Sequence, residues 1–310
     1  DAQCPHKICS GSGIESKLPH AFIKRMRTDF ETTAEYERFI ACYSDAPVRA
    51  MRINTLKISK ERFLDLCPWR TKQSELLNEG LILTENPEHI GTHPYHIAGL
   101  FYMQEPSAMS VVEAAEIAPG MRVLDLCAAP GGKSLTLAEC MQNQGKLISG
   151  EYVESRVPLL RKAFARCGVT CAKAVQNDAA QLRSDWGKFD RILCDVPCSG
   201  LGVIAKKPDI RYKDLDGIEN LLLSQQKILQ NGADLLAENG RLVYSTCTVN
   251  CDENEEQVRT FLKNNPRFHV AVPALQLPGM QQGEYGTLFL PHKTATDGFF
   301  AAILETESTQ

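Results

Sequence analysis

The chain is predicted to be an α/β protein, a doubly wound, mostly parallel sheet preceded by a small α+β domain. Two observations carry this. From residue 121 onward, short apolar runs of strand length alternate with longer stretches of helical periodicity. Alternation of that kind implies parallel strands joined by right-handed crossover helices. Before residue 105 the rhythm differs, with two helical stretches followed by short strands and turns.

The elements follow in order. Residues 1–16 are rich in Gly, Ser and Cys and read as disordered. Residues 17–104 form the N-terminal domain. Phe22, Met26 and Phe30 share one helical face, and Tyr36, Phe39, Ile40 and Tyr43 share another after Thr32-Thr33. Residues 49–54 alternate as a strand, and a short helix capped by Ser59 runs to Leu66. Residues 80–104 read as short strands and turns. Residues 105–310 form the second domain, opened by a helix from Ser107 to Ala115. Strands are expected at 121–126, 146–152, 171–176, 189–195 and 241–246, and helices at 134–141, 155–167, 216–236 and 254–263. Leu288–Leu290 and Phe299–Leu304 close the sheet as a hairpin.

Composition is that of an ordinary globular chain, and no apolar run reaches membrane-spanning length. The start lacks the basic-then-apolar pattern of a signal peptide, and Asp1 in place of Met reads as a processed or trimmed beginning. Twelve cysteines are scattered without a disulfide framework, so reduced thiols in the cytoplasm are expected. Cys42, Cys67, Cys140, Cys167, Cys171 and Cys194 read as small core hydrophobes. Cys4, His6 and Cys9 have no second ligand pair at zinc spacing, so no metal site is expected. The net charge of −4 argues weakly against nucleic acid, but its distribution matters more. Between Lys17 and Arg62 stand ten Lys/Arg against six Asp/Glu, and Lys206, Lys207, Arg211 and Lys213 make a second basic cluster.

The carboxyl ends of the strands carry the chemistry, where a doubly wound sheet binds its ligands. The first strand runs into Asp125-Leu-Cys127-Ala128-Ala129-Pro130-Gly131-Gly132-Lys133-Ser134, a tight turn of small residues entering a helix. It is not the dinucleotide GxGxxG pattern. Glu151 ends the next strand, placed to accept ribose hydroxyls, and Asp178 after the third is within reach of an adenine amino group. Cys198, in Asp195-Val-Pro-Cys-Ser-Gly, and Cys247, in Ser-Thr-Cys-Thr, each follow a buried strand. A thiolate is a good nucleophile and a good leaving group, so two thiols at one sheet edge point to covalent catalysis with two duties. Strand placement alone fits either order of duties.

These motifs, with Phe189-Asp-Arg-Ile-Leu-Cys-Asp-Val-Pro-Cys-Ser-Gly-Leu-Gly202 and Leu242-Val-Tyr-Ser-Thr-Cys-Thr-Val-Asn-Cys-Asp-Glu-Asn-Glu255, resemble the Sun/Fmu-type RNA (cytosine-5)-methyltransferases over most of residues 20–305. Residues 20–110, with the motifs at 51–57 and 99–108, look most like the bacterial small-subunit rRNA enzymes called RsmF, whereas Gly202–Arg211 looks more like the RsmB branch. Many relatives have Asp where this chain has Glu151. Neither the leading helical domain of RsmB nor the extra C-terminal RNA-binding domain of RsmF is present in these residues.

The resemblance implies a Rossmann-like class I methyltransferase fold. It also implies S-adenosylmethionine as cofactor, contacted by Cys127, Ala128, Ala129, Pro130, Gly131, Gly132, Lys133, Glu151, Arg156, Asp178 and Asp195. The implied reaction is methylation of cytosine carbon 5 in RNA, 16S ribosomal RNA above all. Cys247 matches the family's nucleophile at carbon 6, and Cys198 the cysteine that helps release the product. Asp195 is placed to bind or protonate the cytosine edge, which for a carboxylate needs a raised pKa. Lys133 has three open roles: lowering the Cys247 pKa, orienting the base or ordering its loop. The base must leave any stack to reach the pocket. Arg52, Lys57, Lys206, Lys207 and Arg211 are the candidates for holding the RNA backbone. A monomer acting on RNA, away from membranes, is expected. The competing readings are a catalytically silent RNA-binding or ribosome assembly factor, and a methyltransferase for tRNA or DNA cytosine.

Overall fold

The computed structural model describes residues 12–30, 32–75, 77–181, 183–212, 217–272 and 279–306. Cys4, His6, Cys9, Lys213 and the first residue of the expected helix at 216–236 lie outside them.

A short turn, α1 (Ser12–Glu15), leads into α2 (His20–Asp29) and α3 (Thr33–Ala41), the latter capped by the Thr32 side chain. A four-stranded antiparallel sheet follows, from β1 (Ala50–Ile53), β2 (Thr71–Gln73), β3 (Gly80–Leu83) and β4 (Phe101–Met103), in the order β2-β3-β1-β4. Between its strands lie α4 (Lys60–Leu66), with Ser59 as its N-cap, and α5 (Pro94–Ile97). Phe63 of α4 packs with Met51, Ile53, Leu81 and Phe101 of the sheet.

The apolar stripes of α2 and α3 turn elsewhere. Phe22, Met26, Phe39, Ile40 and Tyr43 share a cluster with Leu201, Ile204, Val249 and Leu290. Amphipathicity told which face of these helices is buried but not against what. The 17–104 segment therefore packs in two places, its sheet as one unit and its leading helices on the loops of the larger sheet.

After α6 (Pro106–Ala114), the main sheet is built from β5 (Arg122–Asp125), α7 (Gly132–Cys140), β6 (Lys146–Glu151), α8 (Val157–Cys167), β7 (Ala172–Gln176), β8 (Phe189–Asp195), α9 (Ile218–Leu235) and β9 (Leu236–Thr246). Then come α10 (Glu255–Asn264), β10 (Phe268–Ala271), β11 (Gln281–Gln282), β12 (Thr287–Phe289), α11 (Pro291–Thr294) and β13 (Phe299–Thr306). The order is β11-β12-β13-β9-β8-β5-β6-β7, with β10 also on β13. Strands β5 to β9 are parallel. β13 runs antiparallel to both β9 and β12, so the expected closing hairpin forms.

Period-two alternation explains the layers. Val123, Leu147, Leu193 and Val243 face a cluster with α6, α7 and α8, while Leu124, Ile148, Ile192 and Leu242 face α9 and α10. The chain leaves β5 to one side for β6 and later returns on the other for β8. This is the switch point where such sheets open a ligand crevice.

The small sheet is fastened to α8. Asn54 Nδ2 donates to the carbonyls of Gly99 at 2.7 Å and Cys167 at 2.8 Å. Gly99 has a φ of +72°, and a Cβ there would meet the Arg166 carbonyl oxygen at 2.1 Å. Only glycine allows this approach.

Candidate active site

The loop after β5 enters α7 through Gly131, whose φ is +114°. Ala128 N–H donates to the Gly150 carbonyl at 2.8 Å, which holds the loop against β6. Asp125 is buried at its base and accepts from Ser134 Oγ at 2.7 Å. Burial pushes its carboxyl up to about 7; the Ser134 hydrogen bond pulls it back. Glu151 is buried at the end of β6, with Oε1 accepting from Val153 N–H at 2.8 Å. Asp178 shapes the loop after β7, accepting from Ala180 N–H and from the Gln181 side chain. Arg156 closes an exposed 3-10 turn before α8.

Two buried polar atoms on this side of the sheet, Asp125 Oδ1 and Asn177 Nδ2, have no hydrogen-bond partner. Backbone groups, two carboxylates and orphaned polar atoms therefore line the carboxyl ends of β5, β6 and β7. That donor and acceptor set fits a nucleoside with a polar tail.

One strand further, Cys198 stands in the loop after β8 and Cys247 immediately after β9. Their Sγ atoms are 3.2 Å apart and both thiols are free. They line a cavity of about 380 Å³ walled by Val203, Lys206, Lys207, Pro208 and Ile210. That is the size of a small-ligand pocket.

The surroundings of the two sulfurs differ. The hydrogen bond from Cys198 holds the Cys247 thiol below its usual range; burial and Asp195 oppose this, and Lys133 and Lys207 assist. The same hydrogen bond, burial and the Glu253 carboxylate push Cys198 well up.

Asp195 ends β8, with Oδ2 accepting from Lys133 Nζ at 2.8 Å and Oδ1 from Ser245 Oγ at 2.7 Å. Burial works to lower the Lys133 pKa, but Asp195 outweighs it and the net shift is upward. Lys133 also lies over the Phe299 ring at 5.4 Å.

Sequence reasoning missed the frame behind the thiols. Glu253, fully buried, accepts from Ser199 N–H at 2.8 Å, Ser199 Oγ at 2.5 Å, Gln225 Nε2 at 3.1 Å and Asn250 Nδ2 at 3.1 Å. Its signal, an acid at a helix start, reads only as a cap. Gly202 N–H donates to the Cys247 carbonyl, and Gly298 N–H donates to the Gly202 carbonyl, each at 3.0 Å.

The basic candidates divide. Arg52 is a correction: it is 2% exposed, and its guanidinium is held by Glu139 at 2.9 Å, with Glu113 and Glu79 beyond. A phosphate cannot reach a guanidinium enclosed by carboxylates. Lys57 is exposed. Its ammonium donates to the Ala98 and Arg166 carbonyls, joining the small sheet to the end of α8. Lys206 lies on the pocket wall, paired with Asp297 at 2.7 Å, and Lys207 is exposed beside it. Arg211 donates to the Tyr43 carbonyl at 3.2 Å. Among the described residues no group of His, Cys, Asp or Glu is placed to hold a metal ion, and no helix is long and apolar enough to cross a membrane.

The ribosomal RNA small subunit methyltransferase F of Cronobacter sakazakii is 36% identical over 93% of this chain and 63% of its own length. The chain thus spans less than two thirds of the curated relatives it matches. A solved methyltransferase homolog from Pyrococcus horikoshii is 28% identical, with a TM-score of 0.77 over 88% of this chain and 90% of its own. The NSun6 of Pyrococcus horikoshii, solved with SFG, shares the fold at 22% identity, with a TM-score of 0.84 over 94% of this chain and 98% of its own. The N-terminal domain of 16S rRNA methyltransferase RsmF matches residues 18–106. With the 16S rRNA methyltransferase RsmB/F profile matched over residues 113–305, across the cofactor-type loop and both cysteines, the chain belongs to the RsmB/F methyltransferase family.

Proposed function

We propose that this chain methylates carbon 5 of cytosine in small-subunit ribosomal RNA, with Cys247 as covalent nucleophile. The observation that carries the reading is the pair of free thiols 3.2 Å apart at the pocket, with lysines beside Cys247 and a carboxylate beside Cys198. The RsmB/F methyltransferases use S-adenosylmethionine, which supplies an electrophilic methyl on a sulfonium. The 127–133 loop, Glu151, Arg156, Asp178 and Asp195 are the residues that would hold it.

Carbon 5 of cytosine is a poor nucleophile until the ring's conjugation is broken. Cys247 Sγ, the more acidic thiol, adds to carbon 6, and the ring electrons move toward carbon 5 and N3. N3 needs a proton or a donor as this charge develops. Asp195 was expected to bind or protonate the cytosine edge. Its ion pair with Lys133 favours the first, a carboxylate that orients the base beside an ammonium that carries the proton. Formation of the C6–S bond consumes the Cys247 thiolate whose hydrogen bond kept the proton on Cys198; once carbon 5 is methylated, Cys198 gives that proton to solvent and its thiolate removes the carbon 5 proton. That electron pair re-forms the C5–C6 double bond, the C6–S pair returns to Cys247, and N3 gives its proton back to Lys133.

Lys206 and Lys207 on the pocket wall, with Arg211 behind them, are the cations proposed to hold the backbone of a flipped nucleotide. In this reading the protein works as a cytoplasmic monomer on ribosomal RNA or a precursor particle. The test is transfer of labelled methyl to 16S RNA, with bisulfite sequencing of the product. Cys247→Ser should abolish transfer. Cys198→Ala should leave a protein–RNA adduct that survives denaturing electrophoresis. Wild-type turnover by Cys247→Ser, or an adduct formed through Cys198, would refute the assignment.

A further inference from the structure

Glu253 has 0% exposure and makes no ion pair among the described residues. A buried carboxylate without a cation is costly unless every lone pair is used. Here neutral donors from three segments converge on it: Ser199, the neighbour of Cys198; Asn250, three residues after Cys247; and Gln225 of α9. Gln225 Nε2 also donates to the Pro197 carbonyl at 2.9 Å. Both residues flanking Cys198 are therefore tied to this one buried cluster. Ser199 Oγ lies 2.9 Å from Thr248 Oγ1, which links the two cysteine loops directly.

Cys247 is held differently. It follows the end of β9, where Thr246 pairs with Phe300, and its carbonyl accepts from Gly202 N–H at 3.0 Å. Loss of the Glu253 carboxylate would loosen the Cys198 loop most, because Cys247, although Asn250 on its far side loses a partner, keeps the anchorage of β9 and Gly202.

We propose that Glu253 is the positioning residue that holds Cys198 against Cys247, and so governs release of the covalent adduct rather than its formation. The proposal rests on the two-thiol reading above. Its chemistry is the elimination step: the carbon 5 proton passes to Cys198, the C5–C6 double bond re-forms and the C6–S bond breaks toward Cys247. A base displaced by about 1 Å loses roughly 10²-fold in rate.

The experiment compares wild type, Cys198→Ala, Glu253→Gln and Ser199→Ala with 16S RNA and S-adenosylmethionine. It reads first-turnover methylation, steady-state turnover, adduct on denaturing gels, melting temperature, and S-adenosylhomocysteine binding by calorimetry. Glu253→Gln should keep S-adenosylhomocysteine binding and near-normal first-turnover methylation. Its steady-state rate should fall roughly 10²-fold, and adduct should accumulate although Cys198 is intact. Ser199→Ala, which removes one donor only, should show the same pattern more weakly and decides the matter if Glu253→Gln fails to fold. If Cys198→Ala accumulates adduct but neither other variant does, Glu253 is not the positioning residue. If Cys198→Ala accumulates none, the two-thiol reading falls and takes this proposal with it.

Discussion

Replacing Gly202 with alanine should damage the active site more than any change of its size elsewhere in the chain. Gly202 sits where three backbones meet: a Cβ there would lie 1.9 Å from the Gly298 carbonyl oxygen and 2.9 Å from the Cys247 carbonyl oxygen. The obstacles are main chain, so no rotamer change relieves them. Reaching even a 3.0 Å contact requires a shift of about 1.1 Å. Overpacking of this kind costs about 1–3 kcal/mol. The shift also stretches the bonds from Gly202 N–H to Cys247 and from Gly298 N–H to Gly202, both now at 3.0 Å, each worth about 1 kcal/mol. The stiffer unfolded chain returns about 0.4–1 kcal/mol. The net loss should be about 2–4 kcal/mol. Because Gly202 N–H also holds the Cys247 carbonyl, the backbone shift moves the nucleophile's anchor, and methyl transfer should fall roughly 10²-fold in the protein that still folds. Thermal unfolding and single-turnover transfer read the two effects. Gly91→Ala, where nothing lies within 4 Å, is the control and should be neutral or slightly stabilising. A Gly202→Ala protein with wild-type melting and rate would refute the packing and the role given to the contact.

Arg52→Met should lower stability by about 3–5 kcal/mol, the cost of leaving Glu139 buried without its cation. The salt dependence of RNA binding should stay unchanged; unaltered stability with a flatter salt slope would restore Arg52 as a phosphate contact. Lys207→Ala should move the acid limb of the single-turnover pH–rate profile to higher pH, because Lys207 helps hold the Cys247 pKa down and the thiolate forms only above that pKa. An unmoved limb would mean that Lys207 does not act on the nucleophile. S-adenosylhomocysteine at a hundred times its Kd should stabilise the wild type by about 2.7 kcal/mol. Glu151→Ala should weaken its binding roughly 10- to 100-fold, the worth of hydrogen bonds to a charged group; unchanged affinity by calorimetry would remove Glu151 from the site.

The central strands were legible because burial on both faces leaves continuous apolar runs, as in Ile192-Leu193-Cys194 and Leu242-Val243-Tyr244. Edge strands carry no such signal. Thr71–Gln73 and Gln281–Gln282 are polar, and Phe268–Ala271 is a short mixture; all three form because a neighbour offers a ladder. Arg52 misled for a related reason. On a strand that alternates it reads as an exposed base, and Glu79, Glu113 and Glu139, which enclose it, come from three separate places in the chain.

The order of the two thiols was illegible for the same physical reason. Both cysteines follow parallel strands, β8 and β9, at the same edge of one sheet, so local sequence treats them alike. Their inequality is long-range. Lys133 comes from the start of α7 and Lys207 from the turn after β8, and both help the Cys198 hydrogen bond lower the Cys247 pKa against burial and Asp195; Glu253 comes from beyond β9 and helps raise Cys198. Lysines beside one coupled thiol and a buried carboxylate beside the other bias the shared proton toward Cys198. Glu253→Gln should therefore lower the Cys198 pKa as well as loosen its loop, leaving the Cys247 thiolate in place as the nucleophile, whereas Ser199→Ala should only loosen the loop. Alkylation of the apoenzyme as a function of pH separates the two effects. Cys198 should react at lower pH in Glu253→Gln and at unchanged pH in Ser199→Ala. The same reactivity in both variants would mean that the carboxylate orders the loop without raising the Cys198 pKa.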